Sequence, residues 1–163
     1  MTEEKKDVFS GATIAYTAYF SYVKEVINEF GKEKALELMT RSDTARGIRA
    51  GAEIKEMEGG KDFSVEETKN MIVEMAAGIG GVDITIEESE ECAKTVTEMG
   101  KCPVYEAGKA NGLDDEMIEA LCRASSLAFL NNVVKQLNPK LYYDVTAFRS
   151  EKYNGCLEEI RYE

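Results

Sequence analysis

The chain has 163 residues, 44% hydrophobic and 31% charged, which suits one soluble globular domain with a core of its own. Its formal net charge is -11, from 31 acidic and 20 basic residues, and this excludes a broad nucleic-acid surface, which needs clustered Lys and Arg. The N-terminus "MTEEKKDVFSG" lacks a secretory apolar core and no apolar run approaches membrane-spanning length, so a cytoplasmic protein with reduced cysteines and no membrane partner is expected.

Residues 12–30 carry Tyr16, Tyr19, Phe20, Val23, Ile27 and Phe30 at spacings of three and four, which predicts a helix ended by Gly31. That stripe equally serves a monomer core or a homodimer, and Tyr16, Tyr19 and Tyr22 read as packing rather than a ligand box. A second helix is expected from about Lys32. Its continuation holds Gly47 and Gly51, each costing roughly 1 kcal/mol against alanine. A break near Ser42 or a close helix contact at the glycines would explain them. Arg41, Asp43, Arg46 and Arg49 read as a solvated, salt-bridged face. Ser64 and Glu67 form a capping-box pattern for a third helix over about 65–77, which "GIGG" closes.

From Val82 the periodicity changes. Val82, Ile84 and Ile86 alternate with polar residues as in a half-buried strand, and "CAKTVTEM" is its antiparallel candidate partner across the acidic run Glu87 to Glu91. Pro103 opens a short helix to about Ala110, and Asp114 caps a long one over about 115–137 that stops before Asn138-Pro139. "KLYYDVTAF" and "GCLEEIRYE" read as strands joined by a turn at Asn154-Gly155, with Tyr142 and Tyr143 on opposite faces. The sum is a single α+β domain spanning residues 1–163. A helical part (1–80) precedes an α+β part (81–163), whose antiparallel sheet of about four strands has two helices inserted between strand pairs.

With no histidine, a Ser-His-Asp triad, a Cys-His pair and mixed Cys/His zinc sites are unavailable within one chain. Acid–base work falls to Asp, Glu, Tyr, Lys or a thiol. "GIGG" follows a helix and lacks the Lys-Ser/Thr of a phosphate loop. Among Cys92, Cys102, Cys122 and Cys156 there is no CxxC spacing. Cys102 precedes Pro103 at a helix start, where free N–H groups and the helix dipole favour a thiolate, and Glu106 lies one turn on. Cys122 and Cys156 read as small buried hydrophobes, and Cys92 as incidental. Asn131 and Asn132 could hydrogen-bond a ligand if they face inward.

The C-terminal half, "CPVYEAGKANGL", "ALC", "LNPKLYYDVTAF" and "NGCLEEIRY", resembles the family of L-2-amino-thiazoline-4-carboxylic acid hydrolase-like proteins over about residues 82–162. Cys102-Pro103, Cys122, Asn138-Pro139 and Asn154-Gly155-Cys156 fall on its pattern. The chain departs from it where an acidic residue is expected after the helical cysteine, since "CRASS" offers Ser125 and Ser126, and where the last turn lacks an aspartate. More distantly it is similar to 4-vinyl reductase-type domains, small-molecule or metal-binding sensors. The resemblance implies a hydrolase acting on a small cyclic carbon–nitrogen substrate of thiazoline or amidine type. Cys102 would be its nucleophile, with Glu106 or a tyrosine as acid–base partner. It equally implies a non-enzymatic sensor in which Cys102, Cys122 and Cys156 converge, holding zinc or iron with one position open.

Overall fold

The computed structural model describes residues 3–82, 84–88, 92–97, 102–153 and 155–163. Its first half is helical: α1 (Glu3–Phe30), α2 (Lys32–Met57) and α3 (Val65–Met75), the last running into a π turn over Ala76–Gly80. Gly31 alone separates α1 from α2, at φ 86°, a conformation that a side chain would resist. Most of the α1 stripe enters the core: Tyr16, Tyr19, Phe20, Val23 and Ile27 join Met39, Val104, Ala107, Leu121 and Ala124 in one apolar cluster. Phe30 and Tyr22 are exposed. The Ser64–Glu67 capping box at the head of α3 is complete.

After α3 the chain forms β1 (Ile84–Glu88) and β2 (Cys92–Thr97), then α4 (Pro103–Ala110), α5 (Asp115–Cys122) and α6 (Ala128–Leu137), and finally β3 (Leu141–Ala147) and β4 (Leu157–Tyr162). The sheet is antiparallel throughout and runs β1–β2–β4–β3, with Tyr143 opposite Ile160 and Val145 opposite Glu158. Beyond Glu88 the acidic run lies outside the described residues, as does Asn154 of the expected turn. Asp114 caps α5 by accepting the Met117 N–H at 2.8 Å.

The expected helix over 115–137 is continuous, but a π turn over Arg123–Leu127 widens it between α5 and α6. α2 runs on unbroken past Ser42, and its glycines serve the close contact instead. A Cβ on Gly47 would stand 2.3 Å from the Phe129 carbonyl oxygen, and one on Gly51 2.7 Å from that of Val133. α6 therefore lies against the backbone of α2. Its other side covers the sheet, where Leu141, Tyr143, Val145, Cys156 and Ile160 pack with Val65, Ile72 and Val134. Among the described residues no helix is long and apolar enough to cross a membrane.

Candidate functional site

Cys102, packed against the helical apolar cluster where α4 begins, lies within electrostatic reach of Cys156 of the sheet cluster. Cys102 is the N-cap of α4, with extended backbone (φ -132°, ψ 121°) and no side-chain cap hydrogen bond. Its carbonyl accepts the Glu106 N–H at 3.0 Å, the first bond of the helix. The side chain is half-buried against the helical cluster. Burial pushes the thiol pKa above its ordinary 9.0, opposed by the Arg149 guanidinium and by the N–H groups of Tyr105 and Val104. The expected helix-terminus effect is present, but burial outweighs it.

The π turn supplies a second edge of the site. By widening the helix it sets Ser126 where the hydroxyl hydrogen-bonds with both Tyr16 of α1 and Cys122 of α5. Ser125 is spent on its own helix, donating to the Leu121 carbonyl at 2.8 Å. Burial, reinforced by nearby Cys102 and Cys156, holds the Cys122 thiol pKa well above its ordinary value. Tyr16 is raised by burial and lies within electrostatic reach of Cys102 and Cys122.

The third edge comes from the sheet. Arg149, just past β3, is only 6% exposed and hydrogen-bonds with Cys156. Burial works against its charge, but Cys102, Cys156 and Glu158 hold the guanidinium pKa up. Tyr143 is buried and its phenol donates to Glu158; burial first, then the Glu158 charge, keeps that phenol protonated. The segment carrying Arg149 is pinned to the helices through Asp115. Its carboxylate accepts the Tyr105 phenol at 2.8 Å and the Glu151 N–H at 2.9 Å, while Lys109 reaches Glu151 at 2.8 Å.

Cys102, Cys122 and Cys156 thus lie within electrostatic reach of one another, all three as free cysteines. Glu106 is exposed on α4, whereas Arg149 and Cys156 act on the Cys102 thiol from the buried side. Among the described residues no group of three or more His, Cys, Asp or Glu side chains is arranged to hold a metal ion. Of the three cysteines expected to hold zinc or iron, Cys156 is engaged by Arg149 and Cys122 by Ser126. Asn131 and Asn132 are used internally, accepting the Tyr143 N–H at 3.2 Å and donating to the Ala128 carbonyl at 2.7 Å respectively.

The sequence reading missed Arg149, Glu158 and Ser126 as site residues. Only Glu158 left a visible signal, as an acidic residue on the apolar phase of "CLEEIRY".

A sequence model of the family described as L-2-amino-thiazoline-4-carboxylic acid hydrolase matches residues 11–153. No curated protein matches the chain. Among solved structures, the fold is similar to the phenol-responsive sensory domain of the transcription activator PoxR, solved with phenol. That likeness has TM-score 0.62 and 14% identity, covering 90% of this chain and 74% of that one. It is also similar to a trafficking protein particle complex subunit 3 from Naegleria fowleri, covalently bound to palmitic acid, with TM-score 0.55 and 11% identity, covering 94% and 95%.

Proposed function

The chain belongs to the L-2-amino-thiazoline-4-carboxylic acid hydrolase family, and from that premise we propose that it is a cytoplasmic, hydrolase-like enzyme. It opens a small cyclic carbon–nitrogen substrate of the thiazoline or amidine type, and Cys102 is the reacting group. The observation that carries the reading is the meeting of Cys102 and Cys156 at the buried Arg149.

The chemistry asks for a nucleophile and a proton carrier. The Cys102 thiol adds across C=N, its sulfur to carbon and its proton to the ring nitrogen. The ring C–N bond then breaks: the exocyclic amino group closes a new C=N bond and its proton passes to the departing nitrogen. Water adds to that carbon, one proton going to nitrogen and the other to sulfur as it leaves. Tyr16 is better placed than the exposed Glu106 to relay these protons, because it lies within reach of Cys102 and burial keeps it protonated near neutrality.

The second reading is a ligand sensor, favoured by the fold's likeness to the PoxR sensory domain. One assay separates the two. Purified protein is incubated with L-2-amino-thiazoline-4-carboxylic acid and ring opening is followed. Under the enzyme reading Cys102→Ser abolishes turnover and Cys92→Ser leaves it intact. Saturable binding with no turnover selects the sensor.

A further inference from the structure

The two sides of α1 differ in character. One side, with Tyr16, Phe20 and Val23, enters the helical cluster together with Val104 and Ala107 of α4. On the other, Asp7, Gly11, Ile14, Ala18, Tyr22 and Glu25 recur at spacings of three and four and are all exposed, Ile14 at 68% and Tyr22 at 66%. Gly11, Ile14, Ala15 and Ala18 stand at i, i+3, i+4 and i+7, the four corners of a hole that receives one large side chain from a facing helix. Three of the corners are small, and a Cβ on Gly11 would meet no described atom of this chain within 4 Å, so the hole is open. Tyr22 lies one turn beyond it, and exposed tyrosines are common anchors of interfaces. Acids close the stripe at both ends, Asp7 before the hole and Glu25 and Glu29 after it. Lys24 is the single cation between Asp7 and Phe30, and its Nζ turns aside to donate to the Asn111 carbonyl at 2.8 Å.

We propose that this face of α1 docks a basic amphipathic helix of a partner protein. Covering Ile14 and Tyr22 supplies the apolar drive, with one large side chain of the partner seated in the hole. Lysine or arginine at both ends of the partner helix answers Asp7, Glu25 and Glu29. The rise from residue 7 to residue 25 is ~27 Å, so the partner helix must run about as far, with its apolar residues on one face of its middle. A second copy of this chain does not complement the face. Antiparallel pairing centred on Ala15 and Ala18 sets Asp7 of one copy beside Glu25 of the other, and parallel pairing sets each acid against itself. Each copy also brings a net charge of -11. The docking face lies on the opposite side of α1 from the cluster that holds Cys102, so it stands whether or not Cys102 reacts.

The probe is a synthetic helical peptide of about three heptads, with leucines on one face of its middle and lysines at both ends. Its control has the same composition with the leucines scattered round the helix. Binding to the full chain is followed by fluorescence anisotropy at physiological salt. The wild type should hold the patterned peptide roughly tenfold tighter than the control. Tyr22→Ser and Glu25→Lys/Glu29→Lys should each weaken the patterned peptide by about tenfold. Glu53→Lys/Glu56→Lys, the same charge change at exposed positions of α2, should leave it nearly unchanged. Circular dichroism checks that each variant is folded. Equal wild-type affinity for both peptides, or no binding, overturns the proposal whatever the variants do. An equal loss in the α2 variant also overturns it, since that is unspecific charge attraction. So does a dimer in sedimentation that Tyr22→Ser dissolves, which gives the face to a second copy.

Discussion

At the scale of single residues, Cys102 is set by a contest between burial and charge. Burial raises its pKa, and Arg149 is the largest opposing influence. Removing that cation takes away a lowering influence, so Arg149→Gln should shift the thiol further toward its protonated form. Alkylation of Cys102 by iodoacetamide at a fixed mildly alkaline pH, followed by mass spectrometry, should therefore be slower in the variant. A faster rate would mean that Arg149 shields the sulfur rather than activates it. The location of Cys102 was legible in "GKCPVYEAGKANG", because proline after cysteine marks a helix start. Its pKa direction was not. The neighbours that bury it come from α1 and α5, and the cation that opposes burial lies 47 positions along the chain by its number, in a segment with no local signal.

Among the elements, the α2–α6 contact gives the sharpest expectation. Alanine at Gly51 gains roughly 1 kcal/mol of helix propensity. Its Cβ, however, would sit 2.7 Å from both the Gln136 Cβ and the Val133 carbonyl oxygen, and part of that obstacle is backbone that cannot rotate away. Gly51→Ala should therefore destabilise the fold by about 1–3 kcal/mol, as overpacking usually does, visible as a lower midpoint in urea. A more stable variant would show that the helices can part without loss. Local patterns foretold the elements wherever the controlling chemistry was local: the Ser64–Glu67 box, the Asp114 cap, Gly31 and the alternation in β3 all lie within a few residues of what they specify. The glycines left two explanations open because their partner is in another helix. The π turn left no local mark in the sequence, where the apolar spacing reads as one helix over about 115–137.

For the whole molecule, the junction between helical and sheet clusters predicts how stability depends on pH. Cys122 and Tyr143 are both held well above their ordinary values of 9.0 and 10.0, chiefly by burial, so the folded state favours their protonated, neutral forms. The unfolded chain releases these protons at the ordinary values and the folded chain only above them. The contribution is thus fully present below about pH 9 and is lost as pH rises into the range where only the unfolded state ionises. The acid side has its own, separate term. Glu67 is lowered to about 2, first by Lys61 and then by Ser64, and this surface cap is lost as pH falls from its ordinary 4.5 toward 2. Thermal unfolding followed from neutral to strongly alkaline pH should show a steady fall in midpoint, with a shallower slope in Cys122→Ala. That variant also loses a packed side chain, so its midpoint at pH 7 should be lower; the slope isolates ionisation from packing. An unchanged slope would place the alkaline sensitivity in Tyr143 and leave Cys122 a packing residue.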